Sequence, residues 1–216
     1  MTKHLSVFEK EIKAFKLDKT VRGVALIGSV AYGTATEDSD LDIFVLGEKD
    51  EFVNKDTEGI CVEIHYSKME TAVRKLRENP MEVYKYIYSQ IAYDDGGLES
   101  LFEKAKNIYD SYRTPEKELE RIRYWLSSTK RKLLSGMKSA DMQKVAYLLA
   151  TNTWKVLEGV WAINNKPIPP SSIAFSKYEL LSMPLDNWFE DLLMGDIETR
   201  ANTMLEVVDI ILGNNG

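Results

Sequence analysis

The segment from Leu26 to Val45 reads Leu-Ile-Gly-Ser-Val-Ala-Tyr-Gly-Thr-Ala-Thr-Glu-Asp-Ser-Asp-Leu-Asp-Ile-Phe-Val, and no other part of the chain restricts the fold as much. Val21 to Ile27 is short and β-branched, which predicts a strand ending at Ile27. Gly28 and Ser29 follow at the turn. Small residues there let backbone N–H groups approach a phosphate, and Ser29 adds a hydroxyl donor. Ten residues later a second strand begins, with Asp40 and Asp42 two positions apart. Strand period two puts both carboxylates on one face, while Leu41, Ile43 and Val45 turn to the core. Two carboxylates that close repel each other, and a divalent cation gives a fold a reason to keep them. Carboxylate oxygens with open positions suit Mg2+, which prefers one or two carboxylates plus substrate phosphates.

A third carboxylate stands in Cys61-Val62-Glu63-Ile64-His65-Tyr66. Alternation sets Glu63 opposite Val62 and Ile64. All three acids converge if this strand lies beside the one carrying Asp40 and Asp42. His65 and Cys61 share the face of Glu63 by parity. Cys61 is expected to be a small buried filler, and His65 is left between a structural role and an acceptor contact.

The remaining elements follow from periodicity. Leu5, Phe8, Ile12 and Phe15 predict an opening amphipathic helix. Strands are expected at 41–46, 60–66 and 91–93, with a turn-like arm over 47–56. Ser67 with Glu70 matches a capping box for a helix to about Arg77, which Asn79-Pro80 ends. Short helices are expected over 81–88 and 98–109. Arg113-Thr114-Pro115 reads as a junction. Beyond it, 115–135, 140–163 and 187–212 have helical periodicity, with a shorter helix over 175–182. The expected architecture is α+β, with an α+β domain over 1–113 followed by a helical bundle over 114–216. Tyr147, Ala150, Trp154, Leu157 and Trp161 fall on one helical stripe and are expected in the bundle core.

Composition sets limits. The net charge of −6 over 216 residues disfavours a nucleic acid backbone as the main partner. A single cysteine forbids an internal disulfide and fits a reducing, cytoplasmic setting. No signal-peptide pattern and no apolar run of membrane-spanning length is present, so no membrane partner is expected. Residues 114–144 concentrate eight basic side chains against four acidic ones. Lys130 and Lys132 are the candidates there for a triphosphate contact.

Gly-Ser, a spacer of this length, Asp-x-Asp and a later acidic strand together resemble the nucleotidyltransferase superfamily that includes DNA polymerase β. The likeness is greatest to its minimal and aminoglycoside-type antibiotic-modifying branches. It maps onto Gly28, Ser29, Asp40, Asp42 and Glu63 and covers roughly residues 20–110. The resemblance implies a mixed β-sheet catalytic domain, with the helical half as an acceptor-binding domain. It implies an enzyme that moves a nucleoside monophosphate, AMP first, from a nucleoside triphosphate to a small-molecule hydroxyl. An aminoglycoside-like antibiotic is the first guess for the acceptor. Asp40, Asp42 and Glu63 would hold two Mg2+ ions, or Mn2+, and Glu63 would be metal ligand, base or both. Modification of a protein partner, as by antitoxin-like relatives, is the alternative. A homodimer stays open, since some relatives build the acceptor site across one.

Overall fold

The structure, a computed structural model, describes residues 2–214. The chain divides into two compact units, one up to Ser111 and one from Tyr112 onward. The first contains α1 (Thr2–Phe15), β1 (Val21–Ile27), α2 (Gly28–Tyr32), β2 (Leu41–Gly47), β3 (Glu51–Thr57), β4 (Ile60–Ser67), α3 (Met69–Glu78), α4 (Tyr84–Ile87), β5 (Gln90–Asp94) and α5 (Leu98–Ser111). A 3-10 turn over Pro80–Val83 leads into α4.

The five strands form one mixed sheet in the order β3-β4-β2-β1-β5. β2 and β4 run parallel, and every other pair is antiparallel. The arm expected over 47–56 is β3, which folds back on β4 as an exposed edge strand. Its charged residues (Glu51, Lys55 and Asp56) suit an edge, where unpaired backbone groups invite aggregation.

Alternation decides the two faces of the sheet. Leu41, Ile43 and Val45 of β2 join Val62 and Ile64 of β4 and Val24 and Leu26 of β1 in a core closed by Val7, Phe8 and Phe15 of α1. Fully burying each such side chain stabilises by about 1.5–3 kcal/mol, so this layer fixes the strand register. Asp42, Phe44, Glu63 and His65 stand on the other face. Phe44 is covered there edge-on by Tyr86 of α4, with ring centroids 5.5 Å apart. Gly23 of β1 lies under Leu98 of α5.

The capping box expected at Ser67 does not form. Ser67 is the last residue of β4, and Lys68 is the N-cap of α3 with no side-chain cap of its own. Asp50, from the turn before β3, takes over the task. Its carboxylate accepts from the Lys68 N–H at 3.0 Å and from the hydroxyls of Thr71 at 2.9 Å and Ser67 at 3.3 Å. A carboxylate arriving from elsewhere in the fold satisfies the orphan donor of the helix as well as a local serine can.

The second unit is helical: α6 (Glu116–Lys138), α7 (Met142–Ile163), α8 (Ser171–Ser176), α9 (Trp188–Met194) and α10 (Ile197–Leu212). The helix expected over 187–212 is two. It breaks at Gly195-Asp196, where the Asp196 carboxylate accepts from the Thr199 N–H at 2.7 Å and caps α10. The expected core stripe on α7 is also corrected. Tyr147 is 67% exposed and Trp154 37% exposed, while Leu157 and Trp161 are buried. The buried face instead runs through Val145, Leu149, Asn152, Val156 and Val160. Gly159 sets how closely the helices approach, because a Cβ there would lie 2.7 Å from Ile211 of α10 and 3.1 Å from Leu126 of α6. Among the described residues no helix is long and apolar enough to cross a membrane.

Candidate active site

β1 ends at Ile27, and Gly28 opens the five-residue helix α2 with φ +69, a backbone region that favours glycine. Ile27 pairs with Asp42 across the β1–β2 ladder. The turn therefore brings Gly28 directly against the Asp42 side chain. A Cβ at Gly28 would lie 1.9 Å from Asp42 Oδ2, 2.7 Å from Cγ and 2.9 Å from Cβ. Glycine is needed here twice, for its dihedral and for the carboxylate beside it.

The parallel pairing of β2 and β4 sets Asp42 directly beside Glu63. Ligand atoms of Asp42, Glu63 and His65 lie within 4.8 Å of one another, and so do those of Asp40, Cys61 and Glu63. Glu63 belongs to both groups and joins them into one cluster. Among the described residues no lysine or arginine forms an ion pair with Asp40, Asp42 or Glu63. His65 stands beside them, its Nε2 3.9 Å from Glu63 Oε2.

Electrostatics record the crowding. Burial, then the charges of Glu63 and Asp40, push Asp42 up to about 6, against a smaller opposing pull from Lys85. Burial, with Lys85 and Lys75 next, holds His65 below its usual value and so favours the neutral ring. Burial, followed by a hydrogen bond to Asp40, pushes the Cys61 thiol up and keeps it protonated. The hard donors of this cluster at neutral pH are thus carboxylate oxygens. A divalent cation would remove the like-charge repulsion that raises Asp42, so the donor set fits the carboxylate-and-phosphate coordination of Mg2+.

The loop to Asp40 is tied down from a direction that the motif does not reveal. His4 of α1, 1% exposed, makes a 2.7 Å hydrogen bond from Nε2 to the Ser39 carbonyl. Behind α2, Tyr32 packs edge-on against Tyr88 with centroids 6.2 Å apart, and burial pushes its phenol up to about 12.

Gly28, Ser29, Asp40, Asp42 and Glu63 thus all stand at one end of the sheet in the first unit. Lys130 and Lys132 belong to the second. Lys130 is ion-paired with Asp209 of α10, and Lys132 is exposed beside a groove between α6 and α7. Lys85 was not singled out from the sequence. It sits on α4, 3.2 Å from Glu82, with its ammonium 6.0 Å from the Phe44 ring centroid, and acts electrostatically on Asp42. A lysine in a four-residue helix carries no motif, so only the packing of α4 on the sheet reveals it.

The family model described as a nucleotidyltransferase domain matches residues 5–131. No curated protein matches the chain significantly. Among solved structures, a nucleotidyltransferase-like protein from Exiguobacterium sibiricum is similar at 13% identity and TM-score 0.42, covering 94% of this chain and 72% of that one. Spectinomycin adenyltransferase AAD(9) from Enterococcus faecialis, crystallised with ATP and spectinomycin, is similar at 11% identity and TM-score 0.33, covering 97% and 99%. The family match spans more than half of the chain, including the whole acidic cluster and the Gly28-Ser29 turn, and on that ground the chain belongs to the nucleotidyltransferase-domain family and is a transferase.

Proposed function

We propose that the chain transfers a nucleoside monophosphate, AMP as the working assumption, from a nucleoside triphosphate to a hydroxyl of a small molecule. The observation that carries this reading is the side-by-side placement of Asp42 and Glu63 on parallel strands, with Asp40 in the same cluster and no lysine or arginine paired to any of them among the described residues. Asp40, Asp42 and Glu63 would hold Mg2+, which when bound neutralises the triphosphate and acidifies an attacking hydroxyl.

The residues themselves account for the rest. Gly28, with no side chain, lets the Asp42 carboxylate lie directly against the β1–α2 turn. The Ser29 hydroxyl would donate to a phosphate oxygen. Glu63 is suited to take the proton of the acceptor hydroxyl. As the acceptor oxygen bonds to the α-phosphorus, the bond from that phosphorus to the bridging oxygen breaks and pyrophosphate leaves. Positioning and fixed charge supply most of the rate in such transfers. The helical unit is proposed to bind the acceptor, and the acceptor's identity is the open variable, with an aminoglycoside-like antibiotic as the first candidate.

Incubation of the full chain with α-labelled ATP, Mg2+ and a panel of polyhydroxylated small molecules, aminoglycosides included, tests this. Label should pass to one small molecule with release of one pyrophosphate, and Asp40→Asn/Asp42→Asn should abolish transfer while the variant still melts cooperatively and, in EDTA at pH 8, no lower than the parent. Label found only on a protein partner would overturn the small-molecule acceptor. Full turnover by the double variant would overturn the assigned chemistry.

A further inference from the structure

The helical unit contains a groove of about 340 Å3 between α6 and α7, lined by none of the residues assigned to the acidic cluster or its turn. Tyr124 and Trp125 of α6 and Tyr147 of α7 line it, 79%, 54% and 67% exposed. Its floor is polar and already internally satisfied. The Asn152 carbonyl oxygen accepts from Trp125 Nε1 at 2.9 Å and from the buried Thr129 hydroxyl at 2.9 Å. The Asn152 amide donates to the Leu148 carbonyl at 2.9 Å. These bonds hold the Trp125 indole in one orientation. Among the described residues no ring contact joins Tyr124, Trp125 and Tyr147 to one another, so three aromatic walls surround open space instead of stacking on themselves.

Three aromatic rings this exposed around one concavity are unusual on a soluble surface, where large apolar side chains are normally scattered singly. The groove is also free of acid. Lys132 is the one charged residue lining it, in a chain of net charge −6. On α7 no acidic side chain occurs between Asp141 and Glu158. Arg131, exposed, extends the positive charge along α6 beyond Ser128, while at the Tyr124 end Arg121 stands next to Glu120. Aromatic walls favour a flat ring, and a lone cation without a neighbouring carboxylate favours an anion on it. The volume fits a ligand of one or two fused rings.

We infer that the groove between α6 and α7 is a binding site for a small planar molecule bearing an anionic group, with Trp125 and Tyr147 stacking on the ring and Lys132 meeting the anion. This site does not depend on the proposed transfer chemistry. It is read from the helical unit alone, and it is tested without turnover.

The probe is 2-naphthoate, with neutral 2-naphthamide as its uncharged counterpart, each titrated calorimetrically into the full chain in EDTA. 2-Naphthoate should bind saturably with one equivalent and at least fivefold more tightly than 2-naphthamide. Lys132→Gln should bring the two ligands to equal affinity, whereas Lys138→Gln on the last turn of the same helix should leave the difference intact. Tyr147→Ala, at an exposed position that leaves the fold unburdened, should weaken both ligands by about tenfold. Asp42→Asn should change neither, which separates this site from the acidic cluster. Absence of saturable binding would overturn the inference, as would equal effects of Lys132→Gln and Lys138→Gln. Sedimentation showing a dimer that Tyr147→Ala dissociates would also overturn it, because the groove would then belong to a second copy of the chain.

Discussion

Substituting Gly28 and Gly33 in parallel separates backbone strain from crowding of the acidic cluster. Both glycines have positive φ, +69 and +79, and both belong to the turn of α2. An alanine in that conformation costs about 1–2 kcal/mol at either position. The surroundings differ. A Cβ at Gly33 meets nothing within 4 Å, whereas one at Gly28 lands 1.9 Å from Asp42 Oδ2. Rotating the carboxylate clears Oδ2 and Cγ, but Asp42 Cβ remains 2.9 Å away, so the β1–α2 turn or β2 must also move. Overpacking of this kind adds about 1–3 kcal/mol. A catalytic group misplaced by about 1 Å loses roughly a hundredfold in rate.

Gly33→Ala should therefore lower the melting temperature by roughly 2–8 °C and leave Mn2+ affinity within about threefold of the parent. Gly28→Ala should melt lower still and lose at least about tenfold in Mn2+ affinity, with transfer reduced roughly a hundredfold. Differential scanning calorimetry reads the stability of the full chain, and electron paramagnetic resonance reads bound Mn2+. Equal stability losses for the two variants, together with unchanged Mn2+ binding by Gly28→Ala, would refute the claim that Gly28 makes space for Asp42.

Three other perturbations have definite signs. Because the folded state raises Asp42 from 3.8 to about 6, the folded chain holds a proton there that the unfolded chain has lost. In EDTA this contribution favours the fold below about pH 4 and is lost as pH rises to about 6. Asp42→Asn should then stabilise the protein at pH 8, by at most about 3 kcal/mol, and give no gain at pH 3.5 in chemical denaturation curves. Mg2+ should reverse the preference: at a hundred times its dissociation constant, it stabilises the parent by about 2.7 kcal/mol, seen as a melting shift that Asp42→Asn abolishes. In the helical unit, Gly159→Ala drives a methyl against Ile211 and Leu126 and should destabilise by about 1–3 kcal/mol, measurable by urea unfolding, without altering Mn2+ binding.

Local pattern made the first unit readable. β1 was expected over 21–27 and is found there, because a short β-branched run flanked by a Gly-Ser turn admits few conformations. β2 and β4 were legible for the same reason. The capping residue of α3 was not, because Asp50 reaches it from 18 positions earlier and no local motif encodes that approach. The tryptophan stripe on α7 failed for a related reason. A helix with apolar residues around much of its circumference fits several arcs, and the packing of α6 and α10 chose the arc through Leu149, Val156 and Val160. Lys130 was open to a phosphate role by charge alone, and its pairing with Asp209, 79 positions away, is information that only the fold holds.

The acidic cluster shows the same division within one site. The sequence by itself determined that Asp42 turns away from Leu41 and Ile43 and that Gly28 and Ser29 sit at a strand end, because both follow from the two-residue period of a strand and the chemistry of a turn; Asp40, expected on the same face, stands just before β2. Whether Glu63 would join them depended on which strand lay next to β2. That was decided by the hairpin of β3 and β4, which folds β3 to the outside and lays β4 parallel against β2, so that Asp42 and Glu63 meet rung for rung. Strand pairing is a long-range choice made by burial of the Leu41–Ile43–Val45 and Val62–Ile64 face against α1. The carboxylates come together on the opposite face because the apolar residues claim this one.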